Sequence, residues 1–366
     1  MLKFTTAGES HGRCLVALVE GLPHGLGIDE GFINAELARR QGGYGRGGRM
    51  KIETDRVEIL TGVRNGRTIG SPVALMIPNS DFRIDSAPPV TKPRPGHADL
   101  AGMHKYGIRD ARDVLERASA RETAARVAAG ALAKLLLREI GVEVIGYVTA
   151  IGPVRIGPPG LDPAALRDAR DKSETYCPDS EATERMKKEI EAARDDGDTV
   201  GGLIEVQALG LPAGLGSHVQ WRQKLDGRLA RAVMSVQAIK SVEIGMGRDV
   251  AGARGSQVHD EIIAGESGEP TRPTNRAGGI EGGLTNGCPV IVRAAMKPIP
   301  TLMRPLKTID MQTGEPADAS TERSDICAVP AASVVVENAV AFELAAAVVE
   351  KFGGDTLDEI KQQMKR

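Results

Sequence analysis

Aromatic side chains are scarce in this chain, with five Phe, four Tyr and one Trp among 366 residues. A surface that stacks the bases of a single-stranded nucleic acid needs more of them than that, and the core must instead be built from Ala, Val, Leu and Ile. Cysteine is also sparse. Cys14, Cys177, Cys288 and Cys327 lie far apart with no C-x-x-C spacing, which excludes a zinc ribbon or a disulfide framework and reads as reduced thiols. Neither sign of charge dominates: 47 Lys and Arg face 49 Asp and Glu for a formal charge of −2, so a basic nucleic-acid coat and an acidic disordered tail are both excluded. The N-terminus turns polar at once, no apolar run approaches the ~18 residues of a membrane span, and a soluble cytoplasmic protein is expected. No 20–50-residue repeat and no Ser/Gly linker divides the chain, which points to a single domain over 1–366.

Glycine, by contrast, is plentiful at 44 residues with no Gly-X-Y period, so it serves turns and close backbone approaches. Apolar spacing predicts one long Ala-rich helix over 113–140, ended by Gly141, and a second over 331–352 that begins at Pro330. Strands are expected at 142–151, 203–206, 241–244 and 289–296, and further helices at 183–195 and 223–236. The chain therefore mixes α and β throughout.

Four segments concentrate Gly, Arg and His beyond what packing requires. The first is Gly8-Glu9-Ser10-His11-Gly12-Arg13, whose imidazole alone is a weak signal. The second, 39–49, holds four arginines and five glycines in eleven positions, a density that suits a small anion gripped by guanidinium forks and backbone N–H groups. Gly43 to Gly48 formally reads G-x-G-x-x-G, but a helix precedes it and a strand-like Met50–Glu53 follows, the reverse of a dinucleotide fold; no P-loop motif exists either. The third joins Arg94-Pro95-Gly96-His97-Ala98-Asp99 to Glu116-Arg117-Ala118-Ser119-Ala120-Arg121-Glu122-Thr123. There Arg117 and Arg121 would share a helix face, for which an ordinary ion-pair stripe is the plainer account, and His104 competes with His97 for any role. The fourth comprises the paired glycines of 278–283, Lys297-Pro298-Ile299-Pro300-Thr301, and Arg323-Ser324-Asp325-Ile326-Cys327-Ala328-Val329-Pro330; the glycines suggest a planar ligand against backbone.

Taken together and in this order, these motifs resemble the chorismate synthase family over essentially the whole chain. The segment 79–92 looks shorter than in many relatives, and Ala118 stands where another Ser is common. The resemblance implies a β-α-β sandwich in one layered domain, a homotetramer, and anti 1,4-elimination of phosphate from 5-enolpyruvylshikimate 3-phosphate to give chorismate. Reduced FMN would be required but not consumed, with NADPH only a source of its reduction. Carried over residue by residue, Arg40, Arg46, Arg49 and Arg121 would bind the substrate's anionic groups. His11 would protonate the departing phosphate, His97 would protonate or hold the reduced flavin, and Asp325 would relay a proton at its N5, with Ser10 and Ser119 positioning their neighbours. Flavin contacts would come from Arg117, Ala118, Ser119, Gln237, Ala238, Gly282, Lys297, Pro298, Ile299, Pro300, Thr301 and Arg323. No metal, nucleic acid or membrane is implied. A flavoprotein performing net reduction and an RNA-binding Arg/Gly loop are the alternative readings.

Overall fold

Alternation of apolar and polar residues sets the first sheet in the computed structural model, which describes residues 1–47, 54–321 and 324–365. Its strands are β1 (Lys3–Gly8), β2 (Cys14–Glu20), β3 (Glu58–Ile59) and β4 (Val73–Pro78), ordered β1-β2-β4-β3 and antiparallel throughout. Leu15, Ala17 and Val19 of β2 and Val73, Leu75 and Ile77 of β4 are buried, so period-two patterning turns one face inward. A second antiparallel sheet comprises β5 (Glu143–Ile151), β6 (Val154–Arg155), β7 (Gly202–Leu209), β8 (Ile239–Ile244) and β9 (Val290–Met296), ordered β8-β9-β7-β5-β6.

Helices fill the space between. The main ones are α1 (Glu30–Gln41), α2 (Arg112–Ala118), α3 (Thr123–Arg138), α4 (Leu225–Met234) and α5 (Val329–Phe352). α3 packs on β2 and β4, α5 packs on β5 and β7, and the two helices pack on each other, giving the expected β-α-β sandwich. Their Ala content follows from that position, because small side chains let helices buried on every side approach closely. Leu132 and Leu136 are fully buried in this layer, where truncation of one leucine to alanine costs about 2–5 kcal/mol.

Two expectations need correction. The single helix over 113–140 is interrupted at Ser119, whose ψ of 142° is extended and whose Oγ accepts from the Arg121 N–H at 3.3 Å to start a new turn. Arg117 and Arg121 therefore do not share a face. Second, α5 is long and apolar enough to cross a membrane, with a mean hydropathy of 1.7 over its most apolar window, contrary to the reading that no stretch approaches that length. It is a core helix, with 83% of that window enclosed by protein and Glu337 and Asn338 bonded in its interior-facing middle.

Candidate active site

Loops at one end of the sandwich converge on a cleft of about 420 Å³, within the range of small-molecule sites. The β1–β2 turn contributes Ser10 and His11; α1 ends in Arg40 and leads to Arg46; the Arg94–Asp99 turn brings His97; the break before α3 brings Ala118, Ser119 and Arg121; and β9 runs out into Lys297 and Ile299–Thr301. Gln237, Ala238 and Asp325 complete the walls. Pieces more than 300 residues apart in sequence share one space.

On one wall three guanidiniums meet. Arg40 donates through Nε to Thr123 Oγ1 at 2.8 Å and through a terminal nitrogen to the Ala120 carbonyl at 2.9 Å, and pairs with Asp55 at 3.3 Å. Arg121 pairs with the other Asp55 oxygen at 2.5 Å and donates from Nε to Asn79 Oδ1 at 2.9 Å. Arg46 pairs with Asp325 at 2.7 Å, while the Gly47 N–H donates to the same carboxylate at 2.6 Å. Glycine is needed here: a Cβ on Gly45, at φ +90°, would press on the Cys327 Cβ at 3.0 Å, and only its absence lets this loop lie against the segment carrying Asp325. Burial depresses Arg40 to about 10, with Arg46 and Arg121 adding repulsion that Asp55 and Asp325 only partly offset. A buried guanidinium held that low is stabilised by an arriving anion.

The imidazoles border the same cleft. His11 is 9% exposed, and its Nδ1 lies 2.9 and 3.0 Å from the two carboxylate oxygens of Glu116. The loop holding it is tied to the arginine wall by Asn79, whose amide donates to the Gly12 carbonyl at 2.7 Å while its oxygen takes the Arg121 bond. His97 contacts Asp99 through Nδ1, with Arg94 clamped on the same carboxylate at 2.9 and 3.1 Å. Burial opposes ionisation of Asp99, yet bonds from His97 and Arg94 hold its carboxyl well below the usual range. Ser119 donates to Ser10 Oγ at 3.2 Å, joining the two serines. Of the two histidines left open, His97 borders the cleft, whereas His104 is exposed on a short helix, Asp99–Tyr106, and does not.

Gln237 tests whether a flavin suits this cleft. Its Nε2 donates to Glu122 Oε2 at 3.2 Å, and Glu122 stays ionised because bonds from Arg126, Thr6 and Gln237 outweigh burial. That fixes the amide orientation and leaves the buried Oε1 without a partner among the described residues. An orphaned acceptor in a cleft wall suits a ring N–H such as an isoalloxazine carries. Beside it Ala238 holds φ +66°, a strained left-handed conformation of about 1 kcal/mol kept in place by the Lys297 N–H on its carbonyl at 2.9 Å. The residues present therefore fit such a group.

Not every expected residue joins the cleft. Arg117 donates instead to the carbonyls of Gly8 and Thr6 at 2.9 and 3.0 Å, and Pro298 and Gly282 do not border the space. Gly282 sits in the turn of a hairpin, Ile280–Glu281 with Leu284–Thr285. The nearby glycine pair does not cradle a planar ligand: Cβ atoms on Gly278 and Gly279 would strike the Gly245 backbone at 2.4 Å and the Pro289 carbonyl at 2.5 Å, so these glycines serve chain crossings. Arg49, Arg323 and the strand expected at Met50–Glu53 lie outside the described residues. Glu116, Asp99, Asp55, Glu122 and Asn79 were not foreseen. Glu116, Asp99 and Glu122 lay inside the recognised motifs, but nothing in spacing marked the first two as the partners of the imidazoles.

Comparison with known proteins decides the family. The model of the chorismate synthase family matches residues 2–349. The chain belongs to the chorismate synthase family. A chorismate synthase of Desulforudis audaxviator is 58% identical, the match covering 100% of this chain and 97% of that one, and a chorismate synthase of Geobacter sulfurreducens is 56% identical over 99% and 97%. A crystal structure of chorismate synthase superimposes with a TM-score of 0.82 at 43% identity, covering 100% of this chain and 96% of its own. The protein is thus an enzyme of the lyase class, with the fold of chorismate synthase and a small-molecule substrate.

Proposed function

We propose that the chain, acting over 1–366 as one catalytic domain, eliminates phosphate in the anti 1,4 sense from 5-enolpyruvylshikimate 3-phosphate to give chorismate, the last common step towards the aromatic amino acids. The observation that carries this reading is the convergence of Arg40, Arg46 and Arg121 with His11 and His97 on one cleft. The substrate's phosphate and two carboxylates bring about four negative charges near neutral pH, which matches a wall of guanidiniums already strained by burial.

In this reading Arg40 and Arg121, each held by Asp55, present fixed donors to the anionic groups, and Arg49 joins them. Arg46 exchanges Asp325 for the substrate, since an incoming dianion competes for the guanidinium that the carboxylate now holds. Asp325, once released, can accept or return a proton on the flavin side of the cleft. His11 gives a proton to the departing phosphate oxygen, stabilising the charge that grows there, and His97 is assigned to the flavin. Ser10 and Ser119 hold the two loops in register through their mutual bond.

Reduced FMN, held by Ala118, Ser119, Gln237, Ala238, Lys297, Ile299, Pro300 and Thr301, with Arg117, Gly282, Pro298 and Arg323 assigned by family, would supply electron density to the substrate without net redox change. NADPH enters only as a source of its reduction. Family membership further supports a cytoplasmic homotetramer. Anaerobic turnover with pre-reduced FMN tests the reading: His11→Ala should lower phosphate release by about 10²–10⁴-fold with flavin affinity nearly intact, and equal loss of both would move His11 to the flavin.

A further inference from the structure

His11 is held from behind by a residue that never reaches the cleft. The Glu116 side chain is fully buried and does not border the cavity, yet it meets His11 twice, at the ring Nδ1 and through Oε2 at the backbone N–H, 2.8 Å away. Its own carbonyl accepts from the Ser10 N–H at 2.9 Å, so one residue pins both the loop and the ring it carries. Arg112, one turn back on α2, donates to Oε1 at 3.2 Å. Burial opposes ionisation of Glu116, but the bonds from His11 and Arg112 hold its carboxyl below the usual range.

An ionised carboxylate can only accept hydrogen bonds. Nδ1 facing it must therefore carry hydrogen in both the neutral and the protonated ring, and the nitrogen that gains or loses a proton is Nε2. No hydrogen bond to that Nε2 comes from the described residues, and the His11 side chain borders the cleft. We propose that Glu116 is a positioning residue that locks His11 in the Nδ1–H tautomer, so that its exchangeable proton sits on Nε2 towards the substrate. This rests on His11 being the acid that meets the phosphate.

The test uses the full-length protein labelled with ¹⁵N-histidine, without ligands, at a pH where the His11 ring is neutral, its signals assigned by their loss in His11→Asn. The expected spectrum places the remaining proton on Nδ1; a proton on Nε2 in the unsubstituted protein overturns the proposal, with no variant needed. In Glu116→Gln, whose amide can donate as well as accept, neutral His11 should divide between tautomers, and kcat for phosphate release should fall by about 10–100-fold while KM changes far less. An unchanged tautomer and unchanged kcat in a folded Glu116→Gln protein overturn it as well. Failure of the acid assignment reads differently: His11→Ala would then release phosphate at the normal rate while the Nδ1–H tautomer stayed locked in the unsubstituted chain.

Discussion

Arg39 and Arg40 are neighbours at the end of α1, and they lead opposite lives. Successive residues leave a helix about 100° apart, so one guanidinium turns into the layer between the sheets and the other towards the cleft. Arg39 pairs with Glu36 at 2.7 Å and Glu337 at 2.9 Å, in a cluster where Lys134 also binds both carboxylates and Arg170 reaches Glu337 and Asp171. Burial alone would depress Arg39, but Glu337 and Glu36 raise it above the ordinary guanidinium value. Arg40 is depressed instead. Charge matched by charge holds the layers together, whereas cations crowded with cations wait for a ligand, and adjacent residues in sequence can serve either purpose.

Removing one partner from the first cluster should have the largest effect. Arg39→Met and Glu337→Gln are expected to cost about 3–5 kcal/mol of stability, because each leaves buried charge uncompensated, while the folded fraction keeps its affinity for substrate. Denaturant titration paired with binding measures both. Arg40→Met should shift that balance, costing less stability because Arg121 still pairs with Asp55, while substrate binding weakens by about 10–100-fold for the loss of charge-assisted bonds. If the two substitutions behave alike, the distinction between the clusters fails.

Acid should also weaken the first cluster. Glu36 and Glu337 are both held below their usual range against burial, Glu36 by Lys134 and Arg39 and Glu337 by Arg39, Lys134 and Arg170. With folded pKa values depressed, the unfolded chain binds more protons as pH drops below about 4.3, so the stabilisation present above that pH is lost progressively as pH falls through the lower folded values. Melting curves from pH 6 to 3 should show this loss, and Glu337→Gln should flatten it.

Two smaller effects sharpen the cleft side. Arg46→Lys should weaken substrate binding by roughly 10-fold, since an ammonium cannot reproduce the two-point grip. Asp325→Asn frees Arg46, so substrate should bind at least as tightly while turnover slows; wild-type turnover would reduce Asp325 to a loop tether. Arg117→Ala, at an exposed side chain that bonds the Gly8 and Thr6 carbonyls and the Thr6 hydroxyl and lies 4.0 Å from Glu122, should change stability by less than about 1 kcal/mol.

Much of the molecule was legible in its sequence. Helical and alternating periodicity located α5, the span of α3 and four strands of the second sheet, β5, β7, β8 and β9, since burial sets their pattern, whereas the strands of the first sheet were not foreseen. The motif residues Ser10, His11, Arg40, Arg46, His97, Ser119, Arg121, Asp325 and Gln237 do border one cleft. Periodicity could not see the break at Ser119, because a serine that caps a new turn leaves the apolar spacing on either side intact. Nor could it separate Arg39 from Arg40, although Glu36 three residues before Arg39 is a local sign of pairing. The partners that matter most, Glu337 for Arg39 and Glu116 for His11, come from 298 and 105 residues away, and no local pattern records a contact made only by folding.

The central claim is that a crowded cationic wall and a backed imidazole act together to expel phosphate. Its most direct test is anaerobic reaction of 5-enolpyruvylshikimate 3-phosphate with the enzyme and pre-reduced FMN, following phosphate and flavin absorbance together. One phosphate released per substrate with the flavin still reduced is the expected result; one flavin oxidised per turnover, or no phosphate at all, would contradict it.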